Sequence, residues 1–162
     1  MQPDNDTSHK PRKSRKSHKA HPRYLFYSDQ YMKHMQSLNH EKKVHSNIKM
    51  EEIQQQHGMT PMEVQFVKKA VEVLSQSRQV LMYTYVLAFY LKKNNESIIL
   101  EQNQEDLDEA TELLASYLEQ DITADIEDKV KEWCEYCESR KKQVLDHARE
   151  GYETDIWEFE DE

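Results

Sequence analysis

The sequence predicts an all-α protein, an elongated antiparallel bundle of about four long helices behind a disordered basic N-terminal tail. Three observations point there. The 162 residues contain only two glycines and four prolines, far too few for a fold rich in turns. Apolar residues recur at three- and four-residue steps along most of the chain. One segment, from Thr60 onward, opens with a complete helix start signal.

The first segment is residues 1–23, MQPDNDTSHKPRKSRKSHKAHPR. It has no hydrophobic period and holds three of the four prolines, so it reads as a disordered tail. It carries seven Lys/Arg against Asp4 and Asp6, a net of +5. The remaining 24–162 form the helical domain, with 15 basic against 29 acidic residues and a net of −14. An acidic body of this kind disfavours nucleic acid and favours basic protein partners. The stretch PRKSRKSHK fits a nuclear-import or nucleic-acid patch, or simply a solvated tail. No aromatic is interleaved to stack on bases, which weakens the nucleic-acid version.

Residues 24–57 read as the first helix. Tyr24, Tyr27, Tyr31, Met35 and Leu38 form a stripe at the helical period. After Leu38 the stripe loosens through Val44, Ile48 and Ile53, and Gly58 ends the helix. That second half is therefore expected to pack weakly or to be completed by another surface.

Residues 60–93 read as the central helix. Thr60 is the N-cap, Pro61 sits at N1 and Glu63 at N3, which is a capping box. Met59 and Val64 add a hydrophobic staple. Val67, Val71, Leu74, Arg78, Leu81 and Tyr85 share one face. From Val80 to Leu91 every residue but Thr84 is apolar, so this half is expected to be buried on all sides. It is too short to cross a bilayer, which needs about 20 residues. Lys92 and Lys93 suit the negative helix end, and Asn94 is expected to take a left-handed conformation that stops it.

Residues 97–120 read as the third helix, with Leu100, Leu107, Ala110, Leu114 and Tyr117 inward. Residues 124–150 read as the fourth, with Ile126, Val130, Trp133, Cys137, Val144 and Ala148 inward and Gly151 ending it. The acidic end YETDIWEFEDE follows, whose Trp157 and Phe159 read as docking back on the domain or anchoring a partner, with docking back expected for Trp157.

Candidate chemistry is sparse. There is no Walker loop, no Gly-rich dinucleotide turn and no G-x-S-x-G elbow, so no cofactor is expected. Cys134-Glu-Tyr-Cys137 lacks the second ligand pair of a zinc site, and His147 is too far along the same helix to share a metal. Both cysteines read as small buried hydrophobes, Cys134 partly exposed. Two cysteines and no signal segment suggest a reducing compartment, cytoplasmic or nuclear, and no membrane span is present. Acidic pairs such as Asp108 with Glu112 read as a solvated face, since no Glu-x-x-His di-metal signature lies on the helices that would need one. His34, His40, His45 and His57 are scattered along one polar-rich helix and suggest no catalytic role.

RYLFYSDQYMKHMQSL, MEVQFVKKAVEVL, LMYTYVLAFYLKKNNESII, DEATELLASYLEQDI and YCESRKKQVLDHAREGYETDIWEFED together resemble the C-terminal Ariadne domain of the Ariadne subfamily of RING-between-RING (RBR) E3 ubiquitin ligases. The resemblance covers about residues 23–161. It implies a helical bundle that folds over the catalytic second RING (RING2), blocks its cysteine and is released on a neddylated cullin-RING complex. It also implies a contact to RING2 through an aromatic-Glu pair in the first helix and a Glu in the third. The matching positions here are His40, Glu41 and Glu112, with histidine in place of the aromatic. Cys137 matches a family cysteine and Cys134 does not.

The chain contains no RING and no catalytic cysteine, so it is not expected to be an enzyme alone. It reads as a truncated relative, a separate regulator or an incomplete gene product. The function expected is a regulatory and protein-interaction domain that meets a RING2-type catalytic domain in cis or in trans. The alternatives are a fragment of a longer RBR E3 ubiquitin ligase, and a nuclear or nucleic-acid adaptor acting through the basic tail. On the first reading Glu41 and Glu112 are surface sites, and replacing both by alanine is expected to change stability by less than about 1 kcal/mol.

Overall fold

A computed structural model describes residues 14–45, 58 and 60–160. Four helices follow in order: α1 (Ser14–Val44), α2 (Pro61–Tyr90), α3 (Asn95–Leu118) and α4 (Ala124–Glu153). No strand occurs among the described residues, only an isolated bridge between Leu91 and Phe159.

Helix α2 is the hub, because the other three all pack on it. Its start is fixed locally. The Thr60 hydroxyl accepts the Glu63 amide at 3.2 Å, and the Glu63 carboxylate accepts the Thr60 amide at 2.9 Å. The first half of α2 places Val67, Ala70, Val73 and Leu74 against Ala110, Leu114 and Leu118 near the end of α3 and Val130, Cys134 and Cys137 of α4. The second half places Leu81, Tyr85 and Leu87 against Leu100 and Leu107 of α3 and Val144 and Ala148 of α4. Helix α3 thus runs antiparallel to both α2 and α4, which are parallel to each other. Each leucine removed from water in this way contributes about 1.5–3 kcal/mol.

Helix α1 lies on the remaining side of α2, also antiparallel. Tyr24 and Tyr27 meet Phe89 edge-on with ring centroids 6.1 Å apart, near the end of α2. Leu38 is buried lower down.

Several boundaries differ from those expected. Helix α1 begins at Ser14 rather than Tyr24, with Pro22 inside it. It ends at Val44 among the described residues, and the expected continuation over 46–57 lies outside them, as do residues 1–13 and the staple residue Met59. Gly58 has φ +61, in the left-handed region that glycine adopts freely.

Helix α2 is not stopped by a left-handed Asn94. It ends at an extended Leu91, and Asn94, also extended, caps the start of α3 by accepting the Ser97 amide at 2.9 Å. The orphan carbonyls at the end of α2 are met by Arg23. One of its nitrogens donates to Phe89 O at 2.8 Å and Leu91 O at 2.7 Å, and the other to Glu160 at 2.8 Å. A guanidinium carries enough fixed donors to serve several carbonyls at once. Nor is the apolar half of α2 buried on all sides: Tyr83, Val86 and Tyr90 are 67%, 47% and 56% exposed. Three neighbouring helices leave one stripe of a fully apolar helix uncovered.

Gly151 does not end α4. It is buried within the helix, and Trp157 folds back over it. A Cβ there would lie 1.9 Å from Trp157 Nε1. The indole N–H donates to Ala148 O at 2.9 Å. The chain then pairs with the end of α2, Lys92 N donating to Glu158 O at 2.7 Å and Glu160 N to Tyr90 O at 2.9 Å.

Candidate functional site

The seam where α1, α2 and α3 meet is polar, and its centre is Arg78. This side chain sits on the apolar face of α2 between Leu74 and Leu81 and is only 2% exposed. A buried charge needs partners, because leaving water without them costs several kcal/mol. Two helices supply them. Arg78 Nε donates to the Glu41 oxygens of α1 at 2.5 and 2.9 Å. Its Nη1 donates to Glu112 of α3 at 2.7 Å and to His34 Nδ1 of α1 at 2.9 Å.

Arginine is a donor only, so His34 Nδ1 must accept and Nε2 must carry the proton. Nε2–H then donates to Asp108 Oδ2 at 2.9 Å. Tyr85 donates to the same oxygen at 2.7 Å, and Lys33 reaches Oδ1 at 3.3 Å. His34 is fully buried and lies stacked on the Tyr85 ring, at 15°. The result is one continuous chain, Glu41–Arg78–His34–Asp108–Tyr85, with Glu112 attached at Arg78. Such linked networks fix one arrangement of the helices that carry them.

The charges act on one another. Burial pushes Asp108 up, but hydrogen bonds from His34 and Tyr85 and the charge of Lys33 outweigh it and lower its pKa. Burial likewise opposes ionisation of Glu112, and Arg78 overrides it, so its pKa is lowered. Burial disfavours charged Arg78, yet Glu112 and Glu41 raise its pKa. The Tyr85 hydroxyl is pushed far up by burial and by Asp108, so it serves as a donor only.

The residues singled out by resemblance lie on two helices, His40 and Glu41 side by side on α1 and Glu112 on α3, but share one cleft. His40, Glu41 and Glu112 line a depression of about 380 Å³ with Arg78, Ser37 and Ser116. His40 is exposed, Glu112 is 40% exposed at its side chain, and Glu41 only 13%. Glu41 and Glu112 are thus not free surface acids, as expected from the sequence, but the two counter-ions of a buried arginine. The solvated-face reading of Asp108 with Glu112 fails too, because Asp108 is taken by His34, Tyr85 and Lys33. An arginine on the apolar stripe of α2 is the sequence signal for these counter-ions, since a buried charge needs neutralising.

His34, Asp108 and Glu112 bring potential ligand atoms within 4.8 Å of one another, a set suited to a divalent ion. The Arg78 guanidinium already bonds two of the three, so the positive charge they would attract is built into the fold. Elsewhere, Thr60 and Glu63 form the helix cap described above, away from this seam. Cys134 and Cys137 are both buried, Cys134 at 5% exposure rather than partly exposed. Burial pushes the Cys137 thiol up to about 12, which keeps it unreactive. His147 bonds Glu96 of α3 at 2.9 Å.

Against this geometry stand the comparisons with known proteins. A family model described as the Ariadne domain matches residues 22–137. The chain is 58% identical over 143 residues to the E3 ubiquitin-protein ligase ARIH1 of Homo sapiens, covering 85% of this chain and 26% of that protein. It is 54% identical over 143 residues to the E3 ubiquitin-protein ligase ariadne-1 of Drosophila melanogaster, covering 85% and 28%. It is 45% identical over 142 residues to the E3 ubiquitin-protein ligase ari-1.1 of Caenorhabditis elegans, covering 85% and 29%. The chain therefore spans little more than a quarter of the length of these relatives.

Proposed function

We infer the function from one premise: the chain belongs to the Ariadne domain family. We propose that it is a regulatory and protein-interaction domain of the ubiquitin system, and that the cleft at the α1–α3 seam is its contact for a RING2-type catalytic domain, in cis or in trans. One observation carries this reading. His40 and Glu41 of α1 and Glu112 of α3, positions that the family resemblance ties to such a contact, line a single cleft although the whole of α2 lies between them in sequence.

The physical role of each follows from its surroundings. Arg78 holds Glu41 and Glu112 in fixed rotamers, so a partner meets carboxylates that are already oriented. A carboxylate has about four acceptor positions, and the Glu112 side chain retains exposed surface for a second donor. His40 supplies the exposed rim. The contact also leaves the domain free to dock a neddylated cullin-RING complex through other surfaces.

The test is a titration of the chain into an RBR catalytic module lacking its own Ariadne domain, following heat of binding and ubiquitin discharge together. Binding with slowed discharge is the expected result. No binding by a folded chain would overturn the contact.

A second reading is favoured by coverage: the aligned segment is 26% of the human relative, as a piece of a longer RBR E3 ubiquitin ligase would be. A chain supplying only this domain would act on a ligase and transfer no ubiquitin itself. A nuclear or nucleic-acid adaptor role for the basic tail is a third reading, and residues 1–13 of that tail lie outside those described. No helix among the described residues is long and apolar enough to cross a membrane. A cytoplasmic or nuclear site of action is part of the same proposal.

A further inference from the structure

A second cleft lies further along the α1–α3 seam, toward the start of both helices, with a volume of about 480 Å³. One wall is aromatic. Phe26 is 54% exposed and meets Tyr27 edge-on, centroids 5.1 Å apart. The other wall is α3, with Glu101, Glu105 and Glu109 at successive turns, and Lys33 of α1 also lines the cleft, bonded to Asp108 at 3.3 Å.

The carboxylates are not equivalent. Glu101 accepts from the Tyr27 hydroxyl at 2.8 Å, and Asp108, deeper in, is taken by His34, Tyr85 and Lys33. Glu105 and Glu109 are exposed and bond to no described side chain. At the cleft lies Gln104, 1% exposed, whose amide oxygen and nitrogen both lack a partner. A buried amide with neither atom bonded is rare in a folded protein and marks a place where a donor or acceptor is missing.

These features select one chemistry. An anion would meet a wall of carboxylates. An apolar group would leave Gln104 unmet. A guanidinium suits all three elements: its flat face stacks on aromatic rings, and its five donors reach two carboxylates and an amide oxygen together. The acidic body, with a net of −14 over residues 24–162, attracts a basic partner at long range.

We propose that the cleft between Tyr27 and Glu105 is a socket for one arginine side chain of a protein partner. The arginine stacks beside Phe26 and Tyr27, pairs with Glu105 and Glu109, and reaches the buried Gln104 Oε1 as the side chains over it move aside. The socket goes beyond the RING2 contact and does not depend on that partner's identity.

Two-dimensional NMR of the side-chain amides of the full chain tests this, with N-acetyl-arginine methylamide as the probe. Its neutral citrulline counterpart and its lysine counterpart serve as comparisons. The arginine probe is expected to shift the Gln104 amide signals saturably. The citrulline probe, and a Glu105→Gln, Glu109→Gln double variant with an unchanged melting curve, are expected to bind at least about tenfold more weakly. No saturable shift, an equal shift with citrulline or lysine, or undiminished binding by the double variant would each overturn the socket.

Discussion

Arg78 and Glu41 are joined across the α1–α2 contact by Nε donating to both carboxylate oxygens, at 2.5 and 2.9 Å, with the arginine only 2% exposed. The pair links the hub helix to the helix that carries the proposed contact surface. Its energetics are therefore inseparable from those of the site.

Removing one member of a buried pair leaves the other uncompensated. Glu41→Ala is expected to destabilise the chain by about 3 kcal/mol in urea unfolding, in line with other broken buried pairs. Lys33→Ala, which removes a 46% exposed cation beside Asp108, should change stability by less than about 1 kcal/mol. Equal effects would mean that Arg78 does not depend on Glu41. The expectation from sequence alone, that Glu41 and Glu112 are neutral surface sites, is withdrawn on this geometry.

The depressed Asp108 carboxyl makes stability depend on acid. Its folded pKa of about 2 lies below the ordinary 3.8, so its contribution is complete above the unfolded value and is lost as pH falls toward 2. Between pH 5 and about 2 the urea midpoint should fall less steeply in Asp108→Asn than in the parent chain. Parallel slopes would show that Asp108 is not held down in the folded state.

Gly151 is a seat for Trp157. Gly151→Ala places a methyl 1.9 Å from the indole nitrogen and forces the ring off Ala148 O. Expected are a red-shifted tryptophan emission and a loss of about 2–3 kcal/mol, typical of a disrupted core site. An unshifted spectrum would mean that the fold-back of the C-terminal segment does not rest on this close approach.

The cap at Thr60 is independent of the seam. Thr60→Ala should lower stability by about 1 kcal/mol in thermal or urea unfolding, and Thr60→Gly by only a few tenths. A larger loss would point to a role for Thr60 beyond the capping box.

What the sequence made legible was local. The capping box at Thr60 and Glu63 involves groups three residues apart, and the stripes through Leu74, Leu114 and Val144 repeat within each helix. Arg78 was visible as an oddity on an apolar stripe, but its partners lie 37 and 34 residues away and are named only by packing. Asn94 reads equally well as the end of one helix or the cap of the next, and Ser97 three residues on decides for the cap. Gly151 signals a stop by composition alone. Only the return of Trp157 shows that the missing side chain makes room. The exposure of Tyr83, Val86 and Tyr90 follows from how many helices surround α2, which no periodicity records.

The cleft lined by His40, Glu41 and Glu112 is the proposed seat of the catalytic RING of a ubiquitin ligase. Mutating the two acids would confound contact with folding, so an exposed neighbour is the better probe. Ser116 lines the same cleft and is exposed on α3. The most direct measurement is calorimetric binding of the Ser116→Trp variant to a RING2-containing module lacking its own Ariadne domain, beside its thermal melt. The parent chain is expected to bind and the variant is not, with melting unchanged. Binding of the variant as tight as that of the parent would contradict it.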